Sequence, residues 1–269
     1  MPIITISRGT FSGGRDLAEA LASELHAPCI SREVLVEAGA RYGTSEGALS
    51  AALSQAPTFI DRLRRDRDRY LAFIRAVLCK HAREGDLIYH GHAGHHLLAG
   101  IRHVVRVRVV ADTSSRISVA MKELNMTSRQ AEAHIKKDDA ERRKWTRFLY
   151  GVSWEDPSNY DVVLNLEYLD IAGACRAVVC LSKLPQFQPT DESQKALADL
   201  ALQSFVIAAL ASDERTRDAD FRVRAHDGVI TVEGVARLAE MAESVGEIVS
   251  KVEGVTKVVN QVVTLGLPV

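Results

Sequence analysis

The chain has 269 residues, 46% apolar and 26% charged, with a formal net charge of -1. That length slightly exceeds what one hydrophobic core usually organises, so two domains are expected, and the balanced charge removes any global pull toward nucleic acid or an anionic membrane. The four cysteines show no C-x-x-C spacing and no apolar run approaches the roughly 18 residues that cross a bilayer, which points to a cytoplasmic protein with no nucleic-acid partner and no transmembrane segment.

Up to about residue 184, short β-branched runs alternate with stretches of 3.6-residue period, the pattern of a parallel α/β sheet. Five strands are expected: "IITIS" at 3–7, "PCIS" at 28–31, "LIYHG" at 87–91, "VVRVRVVA" at 104–111 and "DVVLNL" at 161–166. Two helices fall between the second and third strands, one around "REVLVEAGARYG" and one from about Asp61 to Arg83, the latter with an apolar stripe against a solvated arginine-rich face. The stretch "LPQFQPTDESQ" then gathers Pro, Gln and small polar residues. It marks a boundary between a domain at 1–184 and a domain at 196–269, with 185–195 as linker.

Beyond that boundary "SQKALADLALQSFVIAALASD" reads as a helix, and "FRVRAHDGVITVEGVAR" as two strands around an Asp227-Gly228 hairpin turn. A second helix, "LAEMAESVGEIVSKV", stops at Gly254 and is followed by a last strand, "TKVVNQVVTL". The expected module is therefore a small αββαβ domain of the α+β class.

Between the first strand and the first helix lies "GTFSGGRD", residues 9–16, with the spacing of the phosphate loop G-x-x-x-x-G-K-[ST]. A strand that turns through glycines into a helix aims backbone N–H groups and the positive end of the helix dipole at one point, where a phosphate fits. Gly9, Gly13 and Gly14 permit close approach, Ser12 offers a hydroxyl, and Arg15 supplies the charge usually given by Lys. Asp16 replaces the Ser or Thr, and either holds magnesium directly or repels the anion.

A second anion-binding cluster is expected in residues 115–148, dense in Arg and Lys immediately after the fourth strand. Arg116, Lys137, Arg142, Arg143 and Arg147 are candidates for a lid that neutralises transferring phosphates, against the plainer reading of a solvated helix. The run "HGHAGHH" contributes His90, His92, His95 and His96, but their spacing is irregular and no carboxylate or cysteine partner lies nearby, so helix-start histidines near a ligand are favoured over zinc.

Together "ITISRGTFSGGRDLAEALASEL", "CISREVL", "LIYHGHAGHHLL", "RISVAMKELNMTSRQAEAHIKKDDAERRKW" and "DPSNYDVVLNL" resemble the cytidylate kinase-like family of P-loop nucleoside monophosphate kinases over about residues 1–184. The resemblance implies a three-layer α/β fold around a five-stranded parallel sheet and ATP- and Mg2+-dependent phosphoryl transfer to a nucleoside monophosphate, CMP or dCMP foremost. In that branch the loop usually reads Gly-Gly-Arg-Glu, so Arg15 and Asp16 look like the family's own variant. By the same resemblance Arg32 and His92 take the acceptor side, with His92 where relatives tend to carry Arg and Ser31 where they carry Asp.

Residues 196–269 resemble a BON domain, carried by "RVRAHDGVITVEGVA" with Gly228 and Gly234 and by "VEGVTKVVNQVV" with Gly254. That implies a phospholipid- or partner-binding module. Glu240, Glu243 and Glu247 along its second helix suit a protein partner at least as well as a lipid surface. The competing whole-chain reading is a catalytically weak nucleotide sensor that acts through this module.

Overall fold

The computed structural model describes residues 3–31, 33–54, 61–91 and 94–264. Strand β1 (Ile3–Arg8) leads to α1 (Gly14–Leu25), β2 (Cys29–Ile30), α2 (Glu33–Tyr42), α3 (Glu46–Ser54), α4 (Asp61–Glu84), β3 (Leu87–His90), α5 (Gly94–Leu97) and β4 (Val104–Val110). Then come α6 (Thr113–Leu124), α7 (Ser128–Tyr150), β5 (Val162–Asn165) and α8 (Ile171–Ser182). The remainder is α9 (Asp191–Ser212), β6 (Phe221–His226), β7 (Val229–Ala236), α10 (Ala239–Ser250) and β8 (Lys257–Thr264). These elements form two compact units. The first holds β1–β5 with α1 and α5–α8; the second holds most of α2–α4 together with nearly all of α9 and everything after it.

In the first unit the strands run in the order β2-β3-β1-β4-β5, and all pairs are parallel. A sheet covered by helices on both faces demands unbroken apolar strands, and β1 supplies one: Ile3, Ile4, Thr5 and Ile6 are all buried. Ile6, Ile88, Val107 and Val109 pack against Leu17 and Leu21 of α1 and Val178 of α8 in one core. Strand β2 is shorter than the sequence suggests because Pro28 has no N–H to give and joins the ladder only as an acceptor, from Ile88 N at 2.9 Å. The order reverses on either side of β1, so a crevice opens beyond its C-terminal end.

The basic segment after β4 is a helical hairpin. Asn125, at φ 52°, ends α6, and Thr127 with Gln130 forms a capping box that starts α7. Ala120, Ala131 and Ile135 seal the two helices together.

In the second unit, Leu202, Val206 and Leu210 of α9 join Ile230, Val232, Val245 and Val249 in a separate core. The stretch Pro185–Ser212 is long and apolar enough to span a membrane by length and composition alone, but those buried positions make α9 a core helix here. Strands β6 and β7 pair antiparallel around Asp227 (φ 47°) and Gly228 (φ 81°), the two positive dihedrals of a type I′ turn. Strand β8 returns through α10 to lie parallel to β7. The earlier helices pack on α9: the Arg41 guanidinium lies 5.9 Å from the Phe205 ring, and Cys79 Sγ lies 3.9 Å from Ser204 Oγ.

Candidate functional site

The crevice beyond β1 is built from the loop at residues 9–13. Gly13 is the N-cap of α1, in the left-handed region at φ 79°, and no side chain caps the helix. The first N–H groups of α1 therefore keep no side-chain acceptor, which is the arrangement that receives an anion. Gly14 is forced by packing: a Cβ there would sit 2.6 Å from Arg8 Cβ, so only glycine lets the Arg8 side chain cross the loop.

Ser12 is turned inward. Its Oγ donates to the Gly9 carbonyl at 3.0 Å, so in this conformation it closes the loop. Arg15 and Asp16 are exposed in the first turn of α1, and Arg15 Nε donates to Glu19 at 2.9 Å in a solvent-screened pair.

Two lid residues reach the loop. Arg142 Nη1 donates to the Arg8 carbonyl at 2.7 Å. Arg116 Nε donates to the Thr10 carbonyl at 2.8 Å, while its Nη2 donates to Asp139 Oδ2 at 2.5 Å. Arg8 and Arg142 are sunk at the crevice together. Burial, with the charge of Arg15 behind it, lowers the pKa of Arg8; burial, with the charge of Arg8 behind it, lowers that of Arg142. No carboxylate bonds to either guanidinium among the described residues, and the buried Arg8 Nε has no partner there. Arginine keeps its charge, so two cations lie side by side here, offset only at longer range by Asp16 and Glu123 at Arg8 and by Asp138 and Asp139 at Arg142. A cavity of about 40 Å³ opens between them, lined by Ser7, Arg8, Gly91, Arg142, Trp145 and Trp154 among others.

Residues 3–168 match the family model for the cytidylate kinase-like family, and residues 198–266 match that for the BON domain. The chain belongs to the cytidylate kinase-like family. Among solved structures, an uncharacterized protein from Eubacterium ventriosum ATCC 27560 aligns at 19% identity with a TM-score of 0.53, covering 68% of this chain and 98% of its own. A shikimate kinase from Bacteroides thetaiotaomicron aligns at 12% identity with a TM-score of 0.43, covering 68% of this chain and 99% of its own. No curated protein matches. The likeness to the first of these structures is one of fold.

In this cytidylate kinase-like chain the lid candidates divide by side. Arg116 and Arg142 face the loop, whereas Lys137, Arg143 and Arg147 are exposed, and Arg143 pairs with Glu155 at 3.3 Å. Arg32 and His92 lie outside the described residues. The rings of His95 and His96 lie tilted in the first unit with centroids 4.0 Å apart; Tyr150 stacks on His96, and Tyr160 packs against His95.

Sequence reasoning missed four participants, Arg8, Asp139, Trp154 and Tyr160, the last three of which carry no sequence signal of their own. The Trp154 indole N–H donates to Ser7 Oγ at 2.9 Å, and Tyr160 Oη donates to the Trp154 carbonyl at 2.8 Å. The Arg108 guanidinium lies 4.3 Å from the Trp154 ring and donates to the same carbonyl at 2.6 Å. The run "SWEDPSNY" is thereby fastened beside the crevice. A basic residue at the end of β1, directly before a glycine-rich turn, was the one signal available for Arg8.

Magnesium is what the family implies. Among the described residues no group of three or more metal-ligating side chains occurs. An exposed Asp16 beside the helix terminus nevertheless fits an ion held mainly by phosphate oxygens and water, with one carboxylate from the protein.

Proposed function

We propose that the chain transfers the terminal phosphoryl group of ATP to a nucleoside monophosphate, with CMP or dCMP the favoured acceptor. The observation that carries this reading is the pairing of Arg8 and Arg142 beside a glycine-rich loop, with neither guanidinium bonded to a carboxylate among the described residues. In the reaction the bond from the γ-phosphorus to the ADP oxygen breaks, and a bond forms to a phosphate oxygen of the acceptor. The acceptor is already an anion, so no general base is required.

The amides at the start of α1 hold the donor phosphates. Arg8 and Arg142 stand where charge is shared between donor and acceptor, and Arg15 leaves Glu19 to join them. Asp16 would hold a phosphate-bound Mg2+, which supplies charge neutralisation on the transferring group. Arg32 and His92 take the acceptor side. The kinase-like domain at 1–184 and the BON domain at 196–269 work in the cytoplasm, the latter as a contact for a protein or phospholipid partner.

The test is ADP formation from ATP and Mg2+ against a panel of nucleoside monophosphates. Acceptor-dependent ADP that falls about 10²- to 10³-fold in Arg8→Ala supports the reading, since that is the usual scale for one electrostatic stabiliser. Stabilisation by ATP with no acceptor-dependent ADP would replace it with a nucleotide sensor that acts through the BON domain.

A further inference from the structure

Thr10, inside the loop, has both of its backbone polar groups engaged by the lid. Its N–H donates to Asp139 Oδ1 at 3.1 Å, and its carbonyl accepts from Arg116 Nε at 2.8 Å. The circuit closes between Arg116 and the second oxygen of Asp139, with side-chain exposures of only 13% and 12%. The guanidinium also lies flat on the loop, 3.2 Å from where a Cβ on Gly9 would stand.

The next residue, Phe11, has φ 57°, a left-handed conformation that side chains with a Cβ rarely adopt. Its ring packs against Ala120, Ala131 and Ile135, the apolar seam of the α6–α7 hairpin, with the His134 ring 6.1 Å away. Such a conformation persists only where the surroundings over-determine it. The surroundings here are Asp139, Arg116 and that seam.

We propose that Asp139 is a positioning residue: its carboxylate clamps the loop to the lid, so that the loop is already ordered for a polyphosphate before one arrives. Three features require it. Asp139 neutralises Arg116, which would otherwise be a buried cation against the Thr10 carbonyl. It fixes Thr10, and through Thr10 the unfavourable turn at Phe11. It occupies Arg116, whereas the guanidinium groups of Arg8 and Arg142 at the crevice have no bonded carboxylate among the described residues, so the incoming anion meets them and not Arg116. Ordering a loop in advance removes that entropy from the binding step, which shows as affinity. The polyphosphate ligand rests on the phosphoryl-transfer reading; the clamp does not.

The test compares the full-length wild-type chain with Asp139→Asn and Asp139→Ala by amide hydrogen exchange, and titrates each with inorganic tripolyphosphate by calorimetry. The Asn variant keeps an acceptor for Thr10 N–H but loses the ion pair; the Ala variant loses both. Exchange in peptides covering residues 9–13 is expected to rise about tenfold or more in Asp139→Ala and less in Asp139→Asn, with β4 and the C-terminal module protected as in wild type. Tripolyphosphate affinity should fall in the same order, by about tenfold and about threefold. Loop exchange equal to wild type in Asp139→Ala overturns the clamp, as does a loosened loop that binds tripolyphosphate as tightly as before. A loop that loosens in Asp139→Ala while even the wild type binds no tripolyphosphate upholds the clamp and overturns the phosphoryl-transfer reading.

Discussion

The indole N–H of Trp154 donates to Ser7 Oγ at 2.9 Å, joining residues 147 positions apart at the end of the central strand. Ser7 precedes Arg8, so this bond fixes the backbone from which the loop departs. Trp154→Phe keeps a ring beneath the Arg108 guanidinium but removes the donor. It should destabilise the first unit by about 1 to 2 kcal/mol, the cost of a buried hydrogen bond plus some lost contact area. Both tryptophans, Trp145 and Trp154, lie in the first unit, so urea unfolding followed by the remaining Trp145 fluorescence reads that unit alone.

The half-buried Arg8 and Arg142 predict an anion-dependent stability. Pyrophosphate at about 100 times its dissociation constant should stabilise the wild-type chain by about 2.7 kcal/mol. Arg8→Met removes a desolvated charge, so its stability without anion should equal or slightly exceed wild type, while the pyrophosphate-dependent gain disappears. A thermal melt with and without pyrophosphate distinguishes the two effects. A full gain retained in Arg8→Met would remove Arg8 from the anion site.

Gly13 combines a left-handed backbone with a crowded position. A Cβ would lie 2.8 Å from Leu166 Cδ1, at φ 79°. Gly13→Ala should cost about 1 to 2 kcal/mol for the backbone alone, since the leucine tip can swing aside. The same substitution tilts the first amides of α1, so pyrophosphate affinity should drop further than global stability. Paired calorimetry and denaturant titration would show that difference.

The adjacent histidines set an acid limit. Burial, then the neighbouring His96 and the guanidinium charges of Arg106 and Arg108, holds the His95 pKa down to about 3. Burial and Arg106 hold that of His96 down to about 4. In the unfolded chain both titrate near their ordinary value of about 6.5. Between roughly pH 6.5 and 4 the unfolded state binds protons that the native state refuses, so stability falls as pH falls through that window. The buried His95 ring should remove roughly 2 kcal/mol between pH 7 and 5, and the more exposed, solvent-screened His96 ring less. His95→Phe keeps the ring packing and should flatten that slope by about its own share. Urea midpoints at pH 7 and pH 5, read by tryptophan fluorescence, provide the comparison.

The sequence by itself determined the architecture. Apolar runs of strand length, spaced by helical periodicity, specify a five-stranded parallel sheet, because strands covered on both faces are mostly apolar; β4 departs with Arg106 and Arg108, which bond to Asp161 and to the Trp154 carbonyl. The Asp227-Gly228 pair specified the hairpin of the second unit, because a type I′ turn needs two positive dihedrals. "GTFSGGRD" specified a glycine turn from strand to helix, and the structure shows that turn with Gly13 at a left-handed N-cap and no side-chain cap.

Only the tertiary structure decided which charges lie against that loop. Arg8 and Arg142 meet across 134 positions, and Thr10 and Asp139 across 129, separations over which no sequence periodicity carries information. Density of basic residues after β4 could not tell Arg142, sunk against the loop, from Arg143 beside it, whose side chain reaches Glu155 in solvent. Successive helical residues point about 100° apart, so the choice belongs to the packed lid. Packing likewise placed most of α2–α4 with the C-terminal elements in one compact unit, where Arg41 of α2 and Cys79 of α4 meet Phe205 and Ser204 of α9, more than 100 residues further along the chain.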